Sequence, residues 1–155
     1  MGKKRYILGV LLGIYWKTML ASSLVATGTD QKMVADILEY VNAYRVQHGL
    51  STLTLNTFLS QEARYHSTDM AKHRMKFGHD GFSERIAYAH QKIPNSQFGA
   101  ENVAFNYKTA KIVVDGWMNS SGHKRNILGH YNLTGIGIAR DSAGKPYFTQ
   151  IFLKS

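Results

Sequence analysis

The chain has no cysteine. A disulfide scaffold, a thiolate metal site, a cysteine nucleophile and a cysteine-linked lipid anchor are therefore all excluded. Any metal must be held by imidazole, carboxylate or carbonyl groups. Proline occurs only twice in 155 residues, and no low-complexity tract or internal repeat is present, so a long disordered region is not expected. Acidic residues are absent from the first 26 positions, where Lys3, Lys4, Arg5 and Lys17 supply four positive charges. The net charge is +9, and +5 without that segment. The remaining Lys and Arg residues are scattered, with no basic stripe and no interleaved aromatics, so nucleic acid is not an expected partner. A mildly basic surface suits solubility and contact with an anionic envelope.

The order of residues 1–26 is that of a targeting segment. A short basic stretch to Tyr6 precedes an apolar run from Ile7 to Trp16, and small residues follow at Ala21-Ser22-Ser23 and Val25-Ala26. This is the arrangement of a secretory signal peptide, with cleavage expected near Ala21 or Ala26. The run is too short to cross a bilayer by itself. The alternative is an uncleaved anchor over Ile7–Ala26 in which Lys17 snorkels to the interface. Either reading takes residues 27–155 outside the cytoplasm, as a secreted, periplasmic or envelope protein, with no stable membrane span once the signal is cleaved.

One domain of that length buries enough surface for a true core. Val34, Ile37, Leu38, Val41 and Tyr44 form a helical stripe over Asp30–His48, with Thr29 or Asp30 as cap and Gly49 as stop. Leu50, Leu53 and Leu55 mark an extended stretch. Asn56 is the expected N-cap of a second helix carrying Phe58, Leu59, Ala63, His66 and Met70 and running to about Phe77-Gly78. Ser83 is the expected cap of a short helix to Ala89, and Glu101–Tyr107 reads as a strand. Thr109 caps a helix with Ile112, Val113, Trp117 and Met118, and a short turn follows from His123 to Leu128. Ile136 and Ile138 then alternate with glycines, and Tyr147–Leu153 returns after a turn at Asp141–Lys145, which is a hairpin pattern. Helices first and a hairpin last predict an α+β fold with helices on a small antiparallel sheet.

Six motifs, in order, resemble those of bacterial members of the CAP superfamily (cysteine-rich secretory protein, antigen 5, pathogenesis-related; also called SCP-like). They are Asn42-Ala43-Tyr44-Arg45 with Gly49-Leu50 and Leu53; Ala63 with His66-Ser67 and Met70; Phe77-Gly78-His79; Gly99-Ala100-Glu101-Asn102-Val103-Ala104; Trp117 through Leu128; and the closing pair Gly135-Ile136-Gly137-Ile138 and Tyr147–Phe152. The resemblance covers about residues 33–153. It implies a three-layer α-β-α sandwich and a cleft built around His79, Glu101 and His123. The family commonly has a second carboxylate three residues after the tryptophan; here that place is Ser120. Asp115, five residues earlier, would point elsewhere on a helix.

A lone loop histidine is ordinarily only a solvated residue, and the ordered motifs are what single out His79 and His123. Imidazole is the commonest metal ligand and titrates near neutrality. Glu101 suits either orienting one ring and fixing its tautomer or acting as a general base. Ser120 would need a base within reach to act as a nucleophile, and His123 is the candidate. Asn102 and Gln150 suit backbone satisfaction near the cleft floor, His66 reads as a satisfied core histidine, and Trp117 as core.

Three functional classes follow. The first is an exported binding or effector module whose cleft takes a divalent metal, Zn²⁺, through His79 and His123, with a small molecule, lipid or envelope component as partner. The second is a hydrolase of peptide or cell-wall substrates with Glu101 as base on an activated water. The third is an inert displayed domain. Two protein ligands fall short of the three usual for catalytic zinc.

Overall fold

The computed structural model describes the backbone of residues 15–155 and the side chains of residues 29–155. The expected signal peptide or anchor therefore lies largely outside the described residues. Among the described residues no helix is long and apolar enough to cross a membrane. Two compact units are distinguished, Met1–Gln31 and Lys32–Ser155. The described part of the first is helical.

The elements run α1 (Tyr15–Gln47), β1 (Thr54–Leu55), α2 (Thr57–Ala71), α3 (Phe82–Lys92), β2 (Phe98–Phe105), α4 (Ala110–Met118), α5 (Ser121–Ile127), β3 (Leu133–Arg140) and β4 (Pro146–Lys154). Several caps fall where the sequence puts them. Asn56 accepts from the Leu59 N–H at 3.0 Å, Thr109 accepts from the Ile112 N–H at 3.3 Å, and Gly49 follows α1 with φ +73°. Four expectations are corrected. The helix does not begin at Thr29 or Asp30 but runs through both, because no proline interrupts Tyr15–Gln47 and the single Gly28 does not stop it. α2 ends at Ala71, and His73 follows with φ 54°. Gly81, in the left-handed conformation, starts α3, so Ser83 lies inside that helix. β2 starts at Phe98 and ends at Phe105, short of Tyr107.

The four strands are ordered β1-β3-β4-β2, antiparallel except for the β1–β3 pair. Alternation divides the sheet into two faces. Ala100, Ala104, Ile136, Ile138, Phe148 and Phe152 form one core with Ile37 and Val41 of α1, with Val113, Val114 and Trp117 of α4, and with Ile127 of α5. On the other face Ile151 and Leu153 pack with Leu59 and Ala63 of α2 and Ala89 of α3. Helices thus cover both sides, giving the three-layer α-β-α sandwich.

The glycines of β3 explain how close α2 comes. A Cβ on Gly135 would sit 2.0 Å from the Leu59 carbonyl carbon, and one on Gly137 would sit 2.1 Å from the Arg64 nitrogen. The α2 backbone therefore rests directly on the strand, and Ile136 and Ile138 between the glycines serve the opposite core. Order β1-β3-β4-β2 leaves β2 as an edge strand, and the candidate site is built around that edge.

Candidate functional site

Successive residues of β2 reach opposite layers. Glu101 points toward α2, α3 and the loop between them, and Asn102 points toward α5. Glu101 is buried, and both of its oxygens accept hydrogen bonds. Arg85 of α3 donates from Nε to Oε2 at 2.9 Å and from Nη2 to Oε1 at 2.8 Å. His79 Nδ1 lies 3.0 Å from Oε1, and His66 Nε2 lies 3.7 Å from it. A carboxylate only accepts, so the His79 bond requires a proton on Nδ1. In the neutral ring the lone pair is then on Nε2.

His79 itself is half exposed. With Phe82, Gly99, Ala100, Glu101 and Asn126 it lines a hollow of about 240 Å³. A Cβ at Gly99 would meet the Ile86 side chain at 2.5 Å and the Phe152 carbonyl oxygen of β4 at 2.8 Å, so glycine is what fits against the backbone there.

On the other side, Asn102 is fully buried and donates to the His123 carbonyl oxygen at 3.1 Å. Asn126 donates to both Asn102 Oδ1 (2.8 Å) and the Glu101 carbonyl oxygen (3.1 Å). This pair of amides fixes α5 against β2 and sets the backbone position of His123. Asn102 is thus a prop beneath the site, not a lining residue. His123 does not line the hollow, yet it is near enough to His79 to feel its charge. Burial, and second the His79 charge, hold the His123 imidazole below its ordinary pKa of 6.5.

Ser120 occupies the N-cap position of α5, which begins two residues before His123, but makes no side-chain cap bond. Asp115 points away, accepting from Tyr44 and Lys111. His66 is only half satisfied. Its Nε2 donates to the Gly78 carbonyl oxygen at 2.8 Å, while its Nδ1 is buried without a partner. Gln150 is fully buried, but its amide donates to the Thr134 hydroxyl at 3.1 Å, not to the expected backbone, and its Oε1 is buried without a partner.

Sequence reasoning missed Arg85. Its only signal was a cation inside a short helix, four residues after a glycine, and nothing local connects it to a carboxylate sixteen positions away.

Among the described residues no group of three or more His, Cys, Asp or Glu side chains is arranged to hold a metal ion. The donor chemistry accounts for this. Arg85 takes both Glu101 oxygens, which leaves two imidazoles. Two imidazoles fall short of a three-ligand catalytic zinc.

A family model described as the cysteine-rich secretory protein family, CAP, matches residues 38–152. The chain is 34% identical over 132 residues to the uncharacterized membrane protein YlbC of Bacillus subtilis, a match that covers 81% of this chain and 35% of that protein. It is 35% identical over 119 residues to the uncharacterized protein YkwD of the same organism, covering 76% and 45%. The chain thus spans less than half the length of these relatives. Among solved structures it resembles an extracellular protein containing an SCP domain from Bacillus anthracis, with TM-score 0.67, 25% identity, and coverage of 81% of this chain and 41% of that one.

Proposed function

The chain belongs to the cysteine-rich secretory protein (CAP) family, and from its cleft we propose that it is an exported binding or effector module, working outside the cytoplasm or at the cell envelope. The reading of location is supported by the basic-apolar-small order of residues 1–26 and by the likeness to a protein described as extracellular. The observation that carries the functional reading is the state of Glu101. A carboxylate gripped by a guanidinium and an imidazole N–H is placed to orient a ring, and with both oxygens already accepting charge-assisted hydrogen bonds it is a weakened base.

On this reading His79 offers Nε2 to the cleft and His123 offers a ring that burial keeps neutral. Together they would hold a divalent ion such as Zn²⁺ with modest affinity, and such an ion would supply Lewis-acid chemistry there. The protein's own part is to present two imidazoles and to line the hollow with Phe82, Gly99 and Ala100. The ligand class that suits these walls is a small molecule, lipid or envelope component. A hydrolase using Glu101 as base has less support, since both of its oxygens already accept hydrogen bonds.

Calorimetric titration with Zn²⁺ tests this. Wild type should bind, and His79→Ala/His123→Ala should not. Glu101→Gln should weaken binding less than loss of either imidazole. Ser120→Glu, which supplies a carboxylate at a position free of cap bonding, should tighten it. Equal binding by wild type and the double variant would make the cleft a metal-free site.

A further inference from the structure

We propose that Arg85 is the positioning residue of the cleft: by gripping Glu101 with its planar fork and the His79 loop with its remaining nitrogen, it fixes the His79 tautomer and leaves Nε2 as the nitrogen that meets a ligand. This rests on the proposed binding role for its consequence, but the tautomer itself does not depend on that role.

Three observations converge. The first is the two-point contact, Nε to Oε2 at 2.9 Å and Nη2 to Oε1 at 2.8 Å, with the Arg85 side chain 10% and the Glu101 side chain 1% exposed. A paired fork of this kind fixes the plane of the carboxylate as well as its place. The second is that Arg85 Nη1 donates to the Asp80 carbonyl oxygen at 2.8 Å. Asp80 follows His79, so one guanidinium holds both the acceptor and the loop that carries the donor. The third is Gly81. Its φ is +73°, and a Cβ there would come within 3.1 Å of Arg85 Nη1. The turn into α3 thus leaves room for the guanidinium where a side chain would crowd it.

The geometry has a chemical result. Oε1 accepts from Arg85 and His79 together, with the His66 N–H 3.7 Å away. Without the fork, the buried carboxylate is free to rotate about its terminal torsion, and the His79 loop loses the Asp80 tie. His79 would then choose its tautomer as a half-exposed ring does. Lysine would not substitute, because an ammonium is a point charge without the fork.

The test uses the full chain, labelled with ¹⁵N, at about pH 8, above the range where imidazole titrates. Long-range proton–nitrogen spectra identify which ring nitrogen carries the proton. Wild-type His79 is expected as the Nδ1–H form, and Arg85→Gln as a mixture gaining Nε2–H. Zn²⁺ affinity, measured on the same samples, should fall about tenfold or more, the usual cost of losing a group that orients a ligand through another. Arg85→Lys keeps the charge and carries the same test should Arg85→Gln fail to fold; it should move the tautomer in the same direction. Folded variants that keep Nδ1–H and a Zn²⁺ affinity within about twofold of wild type, well short of the cost expected for an orienting group, would overturn the positioning role. If the tautomer moves but wild type binds no Zn²⁺, the positioning role stands and the metal reading falls. If wild type binds Zn²⁺ and neither property changes in the variants, the metal reading stands and the positioning role falls.

Discussion

The Arg45 guanidinium donates from Nη1 to the carbonyl oxygen of Ile127 over 2.7 Å, tying α1 to the C-terminal end of α5. The same side chain donates to Gly129 (2.8 Å), Tyr131 (3.0 Å) and, through Nε, Ser51 (2.9 Å). All four partners are backbone carbonyls. The side chain is 1% exposed, and burial pulls its pKa below the ordinary arginine value. A buried cation is tolerated here because four oriented dipoles replace its water, and cations are favoured where helix carbonyls end. The arrangement anchors the helix that carries His123.

Arg45→Ala should therefore destabilise the domain by about 3 kcal/mol, since it strands several buried carbonyls as well as removing the donors. Arg45→Lys should lose less, because an ammonium reaches some of the same oxygens. Urea unfolding measures both. A loss below about 1 kcal/mol for the alanine variant, the size of one ordinary hydrogen bond, would mean the carbonyls find water once the guanidinium is gone.

Gly137 and Gly122 make a matched pair. Adding a methyl at Gly137 puts carbon 2.1 Å from the Arg64 nitrogen, and the neighbour is helix backbone, which cannot swing aside. Gly137→Ala should cost at least about 3 kcal/mol, the upper end for overpacking. Gly122 lies in α5 with nothing within 4 Å of a Cβ and no positive φ. Gly122→Ala should be neutral or stabilising by up to about 1 kcal/mol, from helix propensity. Thermal melts should put Gly137→Ala well below wild type and Gly122→Ala at or above it, and a Gly137→Ala protein that melts with wild type would contradict the direct helix-on-strand contact.

These glycines also mark how far the sequence is readable. Alternation of Gly135, Ile136, Gly137 and Ile138 announces a strand with one apolar face, and the caps at Asn56 and Thr109 are local chemistry that needs no tertiary context. That the glycine face meets a helix backbone is a long-range fact, invisible to periodicity. The three-layer order likewise came from resemblance, since local patterns give only helices and a hairpin. In the site, the ordered motifs brought His79, Glu101 and His123 forward. Arg85 stayed hidden because its meaning depends on β2 lying beside α3. His66 was read as satisfied because a histidine on an apolar face usually is; only the folded packing reveals that Nδ1 has no partner.

His66 gives the pH dependence. Desolvation, only partly offset by the nearby Glu101 charge, holds its pKa below the free value of 6.5. The unfolded chain therefore binds a proton more readily than the folded one. Stability from this group is fully present above pH 6.5 and is lost as pH falls toward the depressed folded value. His123 is shifted the same way and adds to the slope. His66→Gln keeps a donor for the Gly78 carbonyl but cannot titrate. Urea unfolding between about pH 7 and pH 5 should show a flatter acid decline for this variant than for wild type, with the residual slope due to His123 and the carboxylates. Parallel curves would mean that His66 takes up its proton equally in the folded and unfolded states.

Asn102 supports the opposite wall, and its two substitutions should differ in kind. The amide donates to the His123 carbonyl oxygen at 3.1 Å and accepts from Asn126 at 2.8 Å, with no exposure to water. Asn102→Ala removes one donor and one acceptor together. It leaves the His123 carbonyl and the Asn126 amide less satisfied, a loss of about 2 kcal/mol. Asn102→Asp keeps the acceptor but turns an oxygen toward the His123 carbonyl oxygen and buries a charge where the native side chain bonds the His123 carbonyl and the Asn126 amide. The charged form should cost more than the alanine variant at neutral pH. Protonation restores a donor, an O–H that can point at the same carbonyl. Burial raises the folded pKa of the introduced carboxyl, so the folded state binds the proton more tightly and this penalty shrinks as pH falls. The difference in stability between Asn102→Asp and wild type should therefore narrow from about pH 7 to pH 5, opposite in sign to the His66 contribution. Because Asn102 props the His123 backbone without lining the hollow, both variants should also weaken Zn²⁺ binding if His123 is a ligand. A penalty that does not change with pH, in a variant as stable as the alanine form, would show that water enters beneath α5 and that the Asn102–His123 bond does not hold the wall.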